Sequence, residues 1–211
     1  FGHQEGLKIT YNHHEQACTI AAEGYTRQTG KIAPVCVTGG PGGTNAITGV
    51  FGAYVDSIPM FVVTGQAKRE TTVWSTNLPL RQLGDQEVNI TSAVSTMTKY
   101  AKMITDPMSI RKEVEKAWFL MLNGRPGPVW LDIPGDVAST FIETDDLEGF
   151  DKQGYIDEHW ASFNQDNPVY DEQYTKDVLA KIKEAKRPVI LAGTAIRHAG
   201  QQSEFIKCID K

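Results

Sequence analysis

The chain has 211 residues, a formal net charge of −5, and 40% hydrophobic and 22% charged residues. This composition is typical of a globular protein of one or two domains, and the acidic balance argues against nucleic-acid binding. No apolar run approaches the roughly 20 residues of a membrane-spanning helix, and no secretory signal is visible. Three widely separated cysteines without metal-ligand spacing indicate reduced thiols and a cytoplasmic protein.

Helical and strand-like segments alternate through the first part of the chain. Apolar spacing predicts a helix from Asn12, as its N-cap, to about Thr29, with Gly30 after its end. The buried face predicted for this helix consists of Ala17, Ile20, Ala21, Gly24 and Tyr25. The next predicted elements are a buried strand at 34–38 and a glycine-rich loop at 39–43. A helix at about 44–54 and a second strand at 60–64 follow.

The segment 65–84 has no clear periodicity, which predicts a long loop of the kind that often carries function. Asp106 and Pro107 are typical of a helix start, and a strand is predicted at 128–133. Strands separated by helices predict an α/β fold, in which a parallel sheet has helices on both faces.

The pattern changes after Asp136. A helix at 171–185, a strand at 188–192 and a helix from Gly200 predict the beginning of a second α/β domain. The expected organisation is a first domain at 1–143, a linker at 144–170 and a truncated second domain at 171–211.

Three groups of motifs carry a family resemblance. The first is Asn-His-His-Glu-Gln at 12–16 with Ala-Ala-Glu-Gly-Tyr at 21–25. The second comprises Thr-Gly-Gly-Pro-Gly-Gly-Thr-Asn at 38–45, Asp-Ser-Ile-Pro at 56–59 and Thr-Gly-Gln at 64–66. The third comprises Gly-Arg-Pro-Gly-Pro-Val at 124–129 and Asp-Ile-Pro at 132–134. Together they resemble the N-terminal, aminopyrimidine-binding domain of acetohydroxyacid (acetolactate) synthases and related thiamine-diphosphate enzymes. The glycine loop fits neither a dinucleotide fingerprint nor a Walker A motif.

The resemblance implies that Glu15 is the catalytic glutamate. In the family this residue shares a proton with N1′ of the aminopyrimidine, so that the cofactor's 4′-imino group can remove the C2 proton. We expect a water-poor pocket in which burial disfavours the carboxylate and promotes proton sharing. Because Asn12-x-x-Glu15 also fits a capping box, a purely structural role of Glu15 remains open.

The glycine-rich segment is expected to approach the aminopyrimidine ring, because glycine has no Cβ that would clash with it. A simple strand-to-helix turn is the alternative. The expected cofactor-binding residues are Gly40, Pro41, Gly42 and Asn45. The adjacent His13 and His14 would point about 100° apart on a helix, so no metal site is predicted.

Three residues are expected near the substrate. Gln86 matches the glutamine of the family's Phe-Gln-Glu segment, but Asp85 replaces the phenylalanine of acetolactate synthases. A carboxylate there would change the size and charge of the pocket, which favours a different 2-oxo acid or an aldehyde; an exposed loop residue is the alternative. Gln66 follows a strand end, where ligands gather in open α/β sheets.

The resemblance implies part of a thiamine-diphosphate-dependent transferase or lyase that acts on a 2-oxo acid or aldehyde. Magnesium would be bound by a C-terminal domain outside this chain, and at least a homodimer or homotetramer is expected. The chain would lack the opening strand and helix of its domain and would be inactive alone. An acyltransferase or lyase with another substrate, a non-catalytic α/β binding module, and additional binding of flavin, which no motif indicates, all remain open.

Overall fold

The computed structural model describes residues 4–159 and 171–210. Contacts between residues divide the chain into two units, residues 1–160 and 161–211. Residues 160–170, the last part of the predicted linker, lie outside the described residues. The domain limits at 143 and 171 therefore stay a prediction.

Helices alternate with parallel strands in the first unit. Its strands are β1 Val35–Val37, β2 Met60–Gln66, β3 Tyr100–Met103 and β4 Pro128–Pro134. Its helices are α1 Glu15–Thr29, α2 Pro41–Val55, α3 Ile90–Ala93, α4 Ile110–Leu122, α5 Gly135–Ala138 and α6 Lys152–Glu158. Within the described residues, no helix is both long and apolar enough to cross a membrane.

The four strands form one parallel sheet in the order β1-β2-β4-β3. Met60 pairs with Pro128 and Gln66 with Pro134, so the two central strands lie side by side along their whole length. Because parallel strands end at the same edge, the segments that follow β1, β2 and β4 meet there. The predicted parallel sheet is confirmed.

Alternate residues of the central strands face opposite sides of the sheet. Met60, Val62 and Trp130 lie in a core with α1, α2 and α3. Phe61 and Leu131 lie in a second core with α4 and α5. Helices therefore cover both faces, as predicted, and this double burial gives β2 and β4 their continuous apolar sequences.

The predicted start of α1 is wrong. The N-cap is His14, and the helix begins at Glu15 rather than after Asn12. The predicted loop at 39–43 is largely the first turn of α2, because Pro41 at the first helical position already has the φ angle that a helix start requires.

The predicted buried face of α1 is also wrong. Thr19, Ala22 and Thr26 are the buried residues of this helix. On the predicted face, the side chains of Ile20 and Tyr25 are 49% and 44% exposed. Threonine can be buried here because the hydroxyl of Thr19 finds backbone acceptors, which an apolar pattern does not reveal.

Two further segments differ from the prediction. The edge strand β3 was missed, because its residues are mostly half-buried and give no clear alternation. The predicted loop at 65–84 is shorter, since β2 continues to Gln66. Two 3-10 turns follow within it, at Arg69–Thr71 and Val73–Ser75.

The described part of the predicted linker packs on the first unit. The ring of Phe119 in α4 lies 5.7 Å from that of Phe150 and 6.3 Å from that of Tyr155, measured between ring centroids. Such aromatic contacts bury large apolar areas. The aromatic character of 144–159 therefore reflects a helix, α6, that is anchored on α4.

The second unit contains helices α7 Glu172–Glu184, α8 Ala195–His198 and α9 Gln202–Ile209. Asp171 caps α7, close to the predicted helix start. The strand predicted at 188–192 is wrong, and the side chains of Val189 and Leu191 are 92% and 98% exposed. A strand needs a partner for its backbone groups, and residues 171–210 contain no strand that could provide one.

Candidate functional site

Glu15 is the first residue of α1. The N-cap His14 accepts a hydrogen bond at Nδ1 from the backbone N–H of Gln16, at 3.2 Å. Asn12 instead donates from Nδ2 to Sγ of Cys18, at 3.6 Å. The capping-box interpretation is wrong, because it requires Glu15 to lie three residues after the N-cap.

The carboxylate of Glu15 lies against α2. Asn45 donates from Nδ2 to Oε2 of Glu15 at 3.2 Å. A Cβ built on Gly42 would lie 3.4 Å from Oε1 of Glu15 and only 2.5 Å from Cγ2 of Thr38, so no larger residue fits without a shift. The structure thus brings together three of the predicted site residues, Glu15, Gly42 and Asn45.

The pKa of the Glu15 carboxyl is lowered. The hydrogen bond from its own backbone N–H has the largest effect, the bond from Asn45 adds to it, and partial burial opposes both. Burial favours the protonated form, as expected, but in the present chain the two hydrogen bonds outweigh its effect and the net shift is downward. The carboxylate lies in the first turn of α1, where the amide donor and the positive end of the helix dipole stabilise its negative charge.

Close packing of α1 on α2 sets the position of this pair. The hydroxyl of the fully buried Thr19 donates to the carbonyl oxygen of Ala46, at 3.2 Å. A Cβ built on Gly49 would lie 2.3 Å from the Oγ1 atom of Thr19. The missing side chain at Gly49 therefore allows the close approach of the two helices that brings Asn45 to Glu15.

Gly40 and Gln86 form a second contact at this edge of the sheet. Both have left-handed backbones, with φ of 57° and 56°. A Cβ built on Gly40 would lie 2.5 Å from the carbonyl oxygen of Gln86 and 2.7 Å from its Cβ. This contact alone explains why position 40 requires glycine, with no need to invoke a bound ligand. The cofactor-binding role of Gly40 and of the exposed Pro41, and the substrate role of the exposed Asp85, stay predictions.

Gln66 lies in a different environment. It is buried, and its Nε2 donates to the carbonyl oxygen of Val88 at 2.8 Å and to Oδ2 of Asp132 at 2.9 Å. Its Oε1 accepts from the backbone N–H of Ala67 at 3.0 Å. Both N–H groups of the amide are thus used within the protein, so Gln66 ties β2 to β4 and to the segment before α3.

Asp132 belongs to a buried network that was not predicted as part of the site. Its Oδ1 accepts from Oγ1 of Thr64 at 2.6 Å, and Oγ1 in turn accepts from Nε1 of Trp130 at 2.9 Å. Burial raises the pKa of Asp132 to about 6, although the bonds from Thr64 and Gln66 oppose this. A carboxylate inside an otherwise apolar strand is the sequence signal for such a network.

The raised pKa of Asp132 predicts a pH-dependent stability. The folded state holds the proton more tightly than an unfolded chain with a pKa of 3.8, so this group stabilises the fold in acid and the contribution is lost as the pH rises through about 6. From about pH 4 to about pH 7, the free energy of unfolding of the wild type should fall by about 2 kcal/mol relative to Asp132→Asn. Urea denaturation followed by tryptophan fluorescence measures this difference.

Asp136 provides a control of opposite sign. Burial raises its pKa, but hydrogen bonds from the backbone N–H and the guanidinium of Arg69 outweigh this, so the net shift is downward. Its contribution is lost only as the pH falls below 3.8, so the stability difference between the wild type and Asp136→Asn should stay nearly constant from about pH 4 to about pH 7 and change at lower pH, in the opposite sense to that of Asp132. An Asp132→Asn variant whose stability follows that of the wild type across this range would contradict the prediction.

The described titratable groups of the first unit are not arranged as a metal site. Within residues 4–159 and 171–210, no three or more His, Cys, Asp or Glu side chains are grouped so that they could hold a metal ion. The groups that the candidate site presents are the carboxylate of Glu15 and the amides of Asn45 and Gln86, next to the close-packed backbone of Gly40 and Gly42.

The amino-acid sequence of the chain is similar to those of known proteins. The model of the thiamine pyrophosphate enzyme, N-terminal TPP binding domain, matches residues 1–93. The acetolactate synthase large subunit of Lactococcus lactis subsp. lactis is 33% identical over 207 residues, which cover 98% of this chain and 33% of that protein. The corresponding subunit of Buchnera aphidicola subsp. Schizaphis graminum is 35% identical over 203 residues, 95% of this chain and 32% of that protein.

A plant relative gives the same result. The chloroplastic acetolactate synthase of Arabidopsis thaliana is 32% identical over 183 residues, 85% of this chain and 25% of that protein. The chain therefore spans a third or less of the length of these curated relatives. The region 1–93 contains Glu15, Gly42, Asn45 and Gln86 as well as helices α1 and α2. Residues 1–93 therefore match the N-terminal domain of the thiamine pyrophosphate enzymes, and the chain is acetolactate synthase-like over nearly its whole length.

Proposed function

We propose that this chain is part of a thiamine-diphosphate-dependent transferase or lyase that joins or decarboxylates 2-oxo acids. The observation that carries the proposal is the position of the Glu15 carboxylate beside Asn45 and Gly42 at the start of α1. Relatives named acetolactate synthase support a 2-oxo acid as the donor substrate.

In this proposal the first unit binds and orients the aminopyrimidine half of the cofactor. Thiamine diphosphate supplies a nucleophilic carbon, C2 of its thiazolium ring, when it is bound. The pKa of Glu15 is lowered further below neutral pH, so its side chain is a carboxylate that can share a proton with a protonated ring nitrogen. Asn45 fixes the direction of this carboxylate through Oε2.

Other residues have supporting tasks in the proposal. Gly40 and Pro41 form part of the wall next to the ring, and Gln86 contacts the donor substrate. The exposed carboxylate of Asp85, next to Gln86, favours a second candidate function in which the acceptor is an aldehyde or the transferred group is another acyl group. Gln66 supports the site indirectly, because its hydrogen bond to the carbonyl oxygen of Val88 holds the segment before α3.

A second subunit, magnesium and a cytoplasmic location also belong to the proposal. The exposed apolar side chains of Ile20 and Phe51, on α1 and α2, support an interface with another copy of the protein. Cys18, Cys36 and Cys208 are free, which fits a reducing compartment. Magnesium rests on the family resemblance alone, and flavin is not part of the proposal.

Exchange of the C2 proton of thiamine diphosphate tests the proposal without knowledge of the substrate. The complete protein, with Mg²⁺ in D₂O, should accelerate this exchange by about 10³-fold over the free cofactor, measured by quenched-flow NMR. Pyruvate, offered alone and with aldehydes, then separates the two candidate functions by product analysis. If the folded protein binds no cofactor in calorimetry, or binds it without faster exchange, the proposed enzymatic function is wrong and a non-catalytic binding module is favoured.

A further inference from the structure

Gln86 is held in a conformation that it would not adopt by itself. Its φ of 56° lies in the left-handed region, which is unfavourable for a residue with a Cβ. Its backbone also lies directly against Gly40, where even a methyl group would come within 2.5 Å of the Gln86 carbonyl oxygen. Such a conformation persists only where the surrounding structure enforces it.

The side chain of Glu87 provides part of this enforcement. Its Oε2 accepts from the backbone N–H groups of Leu83 and Gly84, at 3.0 and 2.9 Å, and its Oε1 accepts from the backbone N–H of Val73, at 2.7 Å. One carboxylate thus joins the loop that follows β2 to the loop that carries Gln86. Hydrogen bonds from amides to an ionised carboxylate are stronger than those between neutral groups.

Two further contacts fix the same loop. The carbonyl oxygen of Val88 accepts from Gln66, whose amide is itself held by the buried Asp132. A Cβ built on Gly84 would lie 2.8 Å from both Cβ of Ala67 and the carbonyl oxygen of Thr71, so the two loops are in direct contact. Gln86 is therefore held from both sides along the chain, at 83–84 and at 88.

We infer that Glu87 is a positioning residue: by joining Val73 to Leu83 and Gly84, its carboxylate holds Gln86 against Gly40 at the substrate side of the site. The inference rests on the proposed function, because it assigns a task to Glu87 in that same site. Glu87 itself is turned to backbone amides and has no part in proton transfer.

The ionisation of Glu87 agrees with this geometry. Partial burial raises the pKa of its carboxyl, but the amides of Gly84, Leu83 and Val73 outweigh this and lower the pKa below its usual value. The carboxylate is therefore charged at neutral pH, and it loses the ability to accept all three bonds only in acid.

Glu87→Gln in the complete protein is the test, since a glutamine has one acceptor oxygen and must place its NH₂ group against an amide donor. With pyruvate as the probe and CO₂ release as the readout, kcat should fall about tenfold while KM changes little. Amide hydrogen exchange of residues 73 and 83–84 should become faster. Glu70→Gln, an exposed position in the same loop region, is the matched control and should leave both measurements unchanged.

A double-mutant cycle with Gln86→Ala separates positioning from general stabilisation. If Glu87 acts through Gln86, Glu87→Gln should have little further effect on kcat once Gln86 is alanine. Equal losses of kcat in both backgrounds would overturn the inference, and so would an unchanged kcat in Glu87→Gln. If that variant does not fold, Val73→Pro removes a single donor at the first position of a 3-10 turn and should give a smaller loss in the same direction. A wild type that releases no CO₂ would overturn the proposed function together with the inference.

Discussion

A complete protein that carries Glu15→Gln is expected to exchange the C2 proton of bound thiamine diphosphate about 10²- to 10⁴-fold more slowly than the wild type. Glutamine has nearly the same shape, and its amide oxygen can still accept from Nδ2 of Asn45. An amide cannot take up a proton at neutral pH, so only the proton-sharing role is lost. Quenched-flow NMR at saturating cofactor measures the exchange, and calorimetry measures cofactor binding separately.

Glu23→Gln is the matched control, because it makes the same chemical change on the same helix. Glu23 forms an ion pair with Arg27, with 2.5 Å between Oε1 and Nη2, and lies two turns away from Glu15. We expect a slightly lower melting temperature and an unchanged exchange rate for this variant. If Glu15→Gln retained the exchange rate of the wild type with intact cofactor binding, Glu15 would have only a structural role at the start of α1.

The elements that sequence periodicity predicted well are those whose burial follows a simple rule. The strands β2 and β4 are buried on both faces, and their continuous apolar runs identified them. The helix α1 was also predicted, but its buried face depends on Thr19 and Thr26, whose burial an apolar pattern does not indicate. The apolar run at 188–192 has the composition of a strand, but residues 171–210 contain no strand that could pair with it.

The candidate site shows the same limit at the level of single contacts. Family motifs assigned Glu15 and Gly42 to one predicted cofactor site, and the structure adds that Gly42 lies beside the Glu15 carboxylate and that Asn45 donates a hydrogen bond to it. The network of Asp132 could not be predicted, because it depends on the register that places Thr64 opposite Asp132. Periodicity gives the face of each strand but not the register between two of them.

The position of Glu15 depends on a glycine in the other helix, and Gly49→Ala is expected to destabilise the protein strongly. The added Cβ would lie 2.3 Å from Oγ1 of Thr19 and 3.0 Å from the backbone N of Ile20, so α1 has to move. Overpacking of this kind should lower the free energy of unfolding by about 3 kcal/mol, although alanine favours the helix itself. Calorimetry of the complete protein should show a lower melting temperature than that of the wild type.

Gly52→Ala separates close packing from the general effect of alanine in α2. A Cβ built on Gly52 would meet only the flexible end of Glu23, with 3.2 Å to Oε2, so that side chain can move aside and the stability should change little or rise. In Gly49→Ala, displacement of α1 should also separate Glu15 from Asn45 and slow C2 proton exchange by about tenfold. A destabilised Gly49→Ala variant with unchanged exchange would show that the site does not depend on the spacing of the two helices.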